Sequence, residues 1–144
     1  DLLYHGPRND LPAGYDPKQV FAMLNARKDC VLCVQGNCYA APDQMVLDFP
    51  IGADFRVEDL CGRRLFFTHG HLYGVKTGLY RVCCAARERQ ADILLFGHTH
   101  QPLTDYDDGL YILNPGSLRD GGSYGVITIE NGKCSFTWKR VPEF

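Results

Sequence analysis

Three observations predict an α/β sandwich with a mixed sheet for this 144-residue chain. Helix-like and strand-like segments alternate through the first part of the sequence. Two strong hairpin signals, Asp108-Gly109 and Asn131-Gly132, fall in its last part. Two short apolar runs end in histidine-rich turns, as strands do when they deliver polar side chains to one rim of a sheet.

Each element follows in order. Residues 1–15 are rich in Gly, Pro and Asn and read as a loop. Asp16-Pro17 has the form of an N-cap followed by proline at the first helical position. Val20, Phe21, Met23 and Leu24 then give a helix its apolar face, ending near Lys28. The run Val31 to Val34 reads as a buried strand that stops at Gly36-Asn37-Cys38. Phe55 to Leu60 and Arg63 to Thr68 flank Cys61-Gly62, which predicts a hairpin. Leu79, Val82, Cys83 and Ala86 recur at helical spacing and predict a second amphipathic helix over 77–90. Ile93 to Phe96 is a short buried strand, and two hairpins close the chain at about 103–113 and 123–140. There is no internal repeat, low-complexity tract or linker, so residues 1–144 are expected to form one domain.

Composition narrows the function classes. The apolar share of 45% and charged share of 22% are those of an ordinary globular protein. A formal charge of -2 gives no electrostatic case for nucleic acid or an anionic membrane as partner. No apolar run approaches the roughly 20 residues of a membrane span, and no signal peptide is visible. An opening at Asp1 rather than methionine leads to the expectation of a fragment or processed product. The cysteines number seven, odd and unevenly spaced, which argues against a disulfide framework. Cys30 and Cys33 have the spacing of a zinc or redox pair. No second pair follows, and they read as small buried hydrophobes in a strand. A reducing, cytoplasmic compartment is the expectation.

Chemistry concentrates at the strand ends. Gly97-His98-Thr99-His100 follows one predicted strand and His69-Gly70-His71 another, so four of the five histidines stand just past strand termini. Asp1 offers a carboxylate and Asn37 an amide oxygen. Mixed oxygen and imidazole donors suit Mn, Fe or Zn better than a thiolate cage would. The competing reading is a set of hydrogen-bonded structural histidines.

These motifs, in this order, resemble the calcineurin-like metallophosphoesterases, close to the small YfcE-type bacterial phosphodiesterases. That family reads D-x-H, G-D, G-N-C-D, H-G-H, G-H-T-H-x-P and N-P-G-S along the chain. Here Asp1 stands where the aspartate of G-D belongs, followed by His5-Gly6-Pro7-Arg8-Asn9. Gly36-Asn37-Cys38, His69-Gly70-His71, Gly97 to Pro102 and Asn114-Pro115-Gly116-Ser117 supply the rest. The likeness covers essentially the whole chain. It implies a metallophosphoesterase-type sandwich and hydrolysis of a small phosphodiester through two divalent ions, manganese first, with Fe, Zn and Ni open.

The resemblance also implies roles. Asp1 would bridge both metals, Asn37, His69 and His98 would hold one, and His100 would help hold the other. His71 is a candidate proton donor. Cys38 stands where distant relatives carry a histidine that assists the leaving group. His5 and Arg8 are candidate phosphate ligands, and Asn114 to Ser117 a turn shaping the rim. Two departures bear on this. D-x-H is absent, and with it the strand–helix–strand that precedes this point in the family, so residues 1–144 alone are expected to hold one metal firmly and turn over little. Tyr39 replaces the aspartate of G-N-C-D and cannot supply its negative charge. The alternative is a non-catalytic scaffold of the same fold, as in the eukaryotic retromer, acting through protein contacts. A homo-oligomer is compatible with either reading.

Overall fold

The structure is a computed structural model that describes residues 1–4, 10, 11, 13–119 and 121–142. Two compact units emerge, residues 1–54 and 55–144. No described helix is long and apolar enough to cross a membrane.

In the first unit, α1 spans Pro17–Asn25. The Asp16 carboxylate caps it by accepting from the Gln19 backbone N–H at 3.0 Å, as the Asp-Pro pair predicted. Phe21 and Leu24 pack on a small apolar cluster of Leu47, Phe49 and Ile51, joined by Leu3, Val31, Cys33 and Tyr39. Side chains satisfy the backbone that leads into this cluster. Gln44 donates to the Leu47 and Phe49 carbonyls and accepts from Ile51 N–H, each at 3.0 Å. Asn25 donates to the Val46 carbonyl at 2.7 Å and accepts from Asp48 N–H at 2.9 Å.

The expected strand over Val31 to Val34 does not form. A strand is stable only with a ladder partner, and among the described residues of this unit no strand offers one. Leu32 is exposed rather than buried. Cys30 is exposed too and Cys33 half-buried, so neither is the buried thiol that the sequence suggested. No disulfide forms among the described cysteines.

The second unit matches the sequence closely. A five-stranded sheet has the order β1-β2-β3-β5-β4. The strands are β1 Phe55–Leu60, β2 Arg63–Thr68, β3 Ile93–Leu95, β4 Leu103–Asp107 and β5 Leu110–Asn114. β2, β3 and β5 run parallel, and β1 and β4 flank them antiparallel, giving the mixed sheet. β6 Ser123–Glu130 and β7 Lys133–Arg140 form a separate antiparallel ribbon. All three hairpin turns place a non-glycine residue, Cys61, Asp108 or Asn131, at positive φ before a glycine also at positive φ. This is the backbone that twisted two-residue hairpins require.

Pleating divides the central strands between two cores. Phe66, Leu94, Phe96, Leu110 and Ile112 face α2, which spans Tyr80–Glu88 and contributes Val82, Cys83, Ala85 and Ala86. Leu65, Ile93 and Leu113 face the other way, against Ile127, Ile129, Cys134 and Phe136 of the ribbon. The unit is thus three layers: helix, sheet and ribbon. α2 begins three residues later than the periodicity suggested. Thr77 closes a turn onto the Gly74 carbonyl at 2.9 Å, and Gly78 has φ 159, outside the helical region.

Leu94→Ala removes a fully buried side chain between β3 and α2. It should lower unfolding stability by about 2–5 kcal/mol. Met45→Ala, on a side chain 86% exposed, should change it by less than about 0.5 kcal/mol. Urea unfolding of the two variants measures the contrast, and equal losses would mean that β3 is not the centre of the core.

Candidate metal and phosphoryl site

Three imidazoles meet at the ends of the parallel strands. His69 follows β2 directly, and its carbonyl accepts from Gly97 N–H at 3.1 Å, which extends the β2–β3 pairing by one step. His98 follows the glycine that ends the β3 segment. Its Nδ1 lies 3.2 Å from His69 Nε2. His71 opens a short 3-10 turn over His71–Tyr73. The ring centroids stand 5.1 Å (His69–His98), 5.4 Å (His69–His71) and 6.1 Å (His71–His98) apart.

Burial keeps His69 and His98 uncharged at neutral pH. Burial, with the neighbouring His98, His71 and His100, pushes the His69 pKa down to about 3. Burial also lowers His98, helped by Lys76, His71 and His100. A neutral imidazole offers a lone pair to a cation, whereas a protonated one repels it. His71 Nδ1 is buried without a hydrogen-bond partner, and an orphaned polar atom of this kind calls for a ligand or an ion.

The loop that carries His98 and His100 is strained. Both residues have positive φ, 66 and 60 respectively, a region that costs non-glycine residues of order 1–3 kcal/mol each. Asn114, at the end of β5 and fully buried, holds this loop. Its amide donates to the Gly97 carbonyl at 3.3 Å and the Thr99 hydroxyl at 3.0 Å. Its Oδ1 accepts from Gly116 N–H at 2.9 Å, and its own carbonyl accepts from the Trp138 indole at 3.1 Å. The Asn114-Pro115-Gly116-Ser117 turn therefore does more than border the site, because Asn114 braces the histidine loop.

The remaining expected site residues divide as follows. His100 is exposed yet close enough to bear on the charge of His69 and His98. In the first unit, the Asp1 carboxylate accepts from Cys38 N–H at 2.7 Å, and Asn37 donates to Cys38 Sγ at 3.1 Å. A side chain on Gly36 would overlap the Asp1 carboxylate, so the glycine there permits the close approach. Tyr39 packs on the Leu47, Phe49 and Ile51 cluster, which assigns it to packing. His5 and Arg8 lie outside the described residues.

Among the described residues, no three His, Cys, Asp or Glu side chains are grouped as a metal cage. The His69–His98 pair nonetheless fits a shared ion. Two nitrogens each about 2.1 Å from a tetrahedral cation stand about 3.4 Å apart, close to the observed 3.2 Å. Two neutral imidazoles at this distance have the donor chemistry of part of a divalent-metal site.

Residues 13–132, which run across the boundary between the units, match the calcineurin-like phosphoesterase superfamily domain. Phosphodiesterase YfcE of Escherichia coli K12 is 42% identical over 132 residues, covering 88% of this chain and 68% of the relative. The "Probable metallophosphoesterase YsnB" of Bacillus subtilis is 32% identical over 139 residues, covering 91% and 70%. The solved structure of the E. coli phosphoesterase Yfce superposes with a TM-score of 0.68 at 35% identity, covering 91% of this chain and 70% of that one.

Two predictions follow from the geometry. Asn114→Ala leaves Gly97 and Thr99 short of a partner. It should cost about 1–3 kcal/mol and shift the ring resonances of His98 and His100 but not those of a distant control such as Tyr106. Unmoved histidine resonances would mean that Asn114 does not brace the loop. The second concerns pH. In metal-free protein His69 should titrate near pH 3 by NMR. Unfolding frees the ring to take up a proton from about pH 6.5 downward. Stability is therefore full above that value and declines as pH falls toward 3. A folded His69 titrating near 6.5 would remove burial as the controlling force.

Proposed function

The chain belongs to the calcineurin-like phosphoesterase superfamily, and from that premise we propose that it is a phosphodiesterase for small phosphodiesters, working with two divalent ions, manganese first. The observation that carries the reading is the neutral His69–His98 pair, 3.2 Å apart, beside the orphaned Nδ1 of His71.

Hydrolysis joins a water oxygen to phosphorus, breaks one P–O ester bond, and sends a proton to the departing alkoxide. Bound divalent ions supply a water of lowered pKa and positive charge beside the phosphoryl oxygens. His69 and His98 would hold an ion, since burial keeps both rings uncharged at neutral pH. His100 is the further imidazole donor of the same loop, and Asp1 and Asn37 are the oxygen donors proposed from the first unit. His71 is proposed as the donor of the proton to the leaving oxygen, a reading supported by its ring lying 5.4 Å and 6.1 Å from those of His69 and His98. Cys38 is a weaker candidate for that role, because its sulfur already accepts from Asn37. His5 and Arg8 are proposed as phosphate ligands, the guanidinium by paired hydrogen bonds. We read both units as parts of one metallophosphoesterase domain. The free cysteines support a cytoplasmic location.

With added manganese, the intact protein should hydrolyse bis(4-nitrophenyl) phosphate, and a chelator should abolish turnover. His98→Ala should lower kcat by roughly 10²–10³-fold or more, whereas His71→Ala should lower kcat with little change in manganese affinity. Near-normal turnover in His98→Ala would sink the site assignment. Absent turnover with manganese still bound would favour the scaffold reading.

A further inference from the structure

Next to the histidine cluster the second unit contains a cavity of about 430 Å³. Its inner wall is apolar. Val75 and Phe96 are buried in the core on the helix side of the sheet, and Leu79 packs against that core just before α2. Its rim is polar, made by Lys76, Thr99 and Gln101. Thr99 lies between His98 and His100, so the rim and the histidine loop share a backbone. Thr99 therefore joins the cavity to the loop that carries His98 and His100.

The composition of the walls selects a ligand. An apolar inner wall disfavours a charged group, whose desolvation nothing there would offset. A volume within the range of small-molecule pockets accommodates a flat ring, and the single cation at the rim suits an anion held just outside. We propose that this cavity is the subsite for an aromatic ring carried by one ester group of the substrate, which makes aryl or nucleoside phosphodiesters, rather than alkyl ones, the substrate class. The proposal rests on the phosphodiesterase reading above. The phosphoryl group sits on the histidine side with Lys76 nearby, and the ring enters between Val75, Leu79 and Phe96. The geometry also gives Gln101 a role at the entrance, where an exposed side chain decides how wide the mouth is.

Two probes that share a phosphonate and differ only in the organic group test this. Phenylphosphonate and methylphosphonate are titrated calorimetrically into the manganese-loaded intact protein. Phenylphosphonate should bind about tenfold more tightly or better, from the apolar area its ring removes from water. Gln101→Trp, which fills the mouth, should bring the ratio of the two affinities close to one. Gln101→Phe, a smaller plug at the same exposed position, should reduce it partway. Circular dichroism checks that both variants fold. Equal affinities in the parent, or a ratio that survives both substitutions, would overturn the subsite while leaving the phosphodiesterase reading intact. Failure of both phosphonates to bind a protein that still binds manganese would overturn the phosphoryl-site reading and the subsite with it.

Discussion

The burial of β2, β3 and β5 on both faces is the constraint on which the second unit depends. Successive residues of each strand face opposite ways, so Leu65 and Phe66, Ile93 and Leu94, and Ile112 and Leu113 each divide between the ribbon and the helix. A one-residue slip in any of these strands would exchange the two faces along its whole length. Register is therefore held by two cores at once. Because the three strands run parallel, that register brings the residues after β2 and β3 to the same edge of the sheet. The meeting of His69 with His98 is a consequence of core packing.

Past the last paired residue, the chain turns sharply and the packing no longer dictates its path. Here local interactions take over. Gly97 N–H still reaches back to the His69 carbonyl, and Asn114 reaches across from β5 to Gly97 and Thr99. These bonds, made in a dry environment, offset the unfavourable φ of His98 and His100. Strained backbone held by a buried polar side chain is common at functional sites, where side chains must be presented in a fixed geometry before any ligand arrives. The Trp138 indole on the Asn114 carbonyl ties the ribbon to the same point, so sheet and ribbon both contribute to the placement of the loop.

The chemistry follows from the burial. Imidazoles crowded at a half-buried sheet edge cannot all hold protons, since each charge would be poorly solvated and would repel the next. The outcome is a pair of neutral nitrogen donors, His69 and His98. An adjoining cavity then provides apolar wall for an organic group. A cation-ready edge with an apolar pocket beside it suits a ligand that is ionic at one end and hydrophobic at the other.

What the sequence alone determined is what depends on neighbouring residues. The Cys61-Gly62, Asp108-Gly109 and Asn131-Gly132 turns were legible because their backbone angles are a property of the dipeptides themselves. The Asp16-Pro17 cap was legible for the same reason, and the apolar run from Ile93 to Phe96 marked a buried strand. The ordered motifs pointed to the family, and with it to His69, His71, His98 and His100. Tertiary structure decided the rest. Val31 to Val34 has the composition of a strand, but pairing is non-local, and no strand among the described residues completes it. Tyr39 stands where the family has an aspartate, and its packing against Leu47, Phe49 and Ile51 is a contact that no local pattern records. The partners of the Asn114 amide lie 17 and 15 residues away, and no local pattern records such a bond. The low pKa of His69 and the unpartnered Nδ1 of His71 exist only because folding removes water from them, which a linear sequence does not encode.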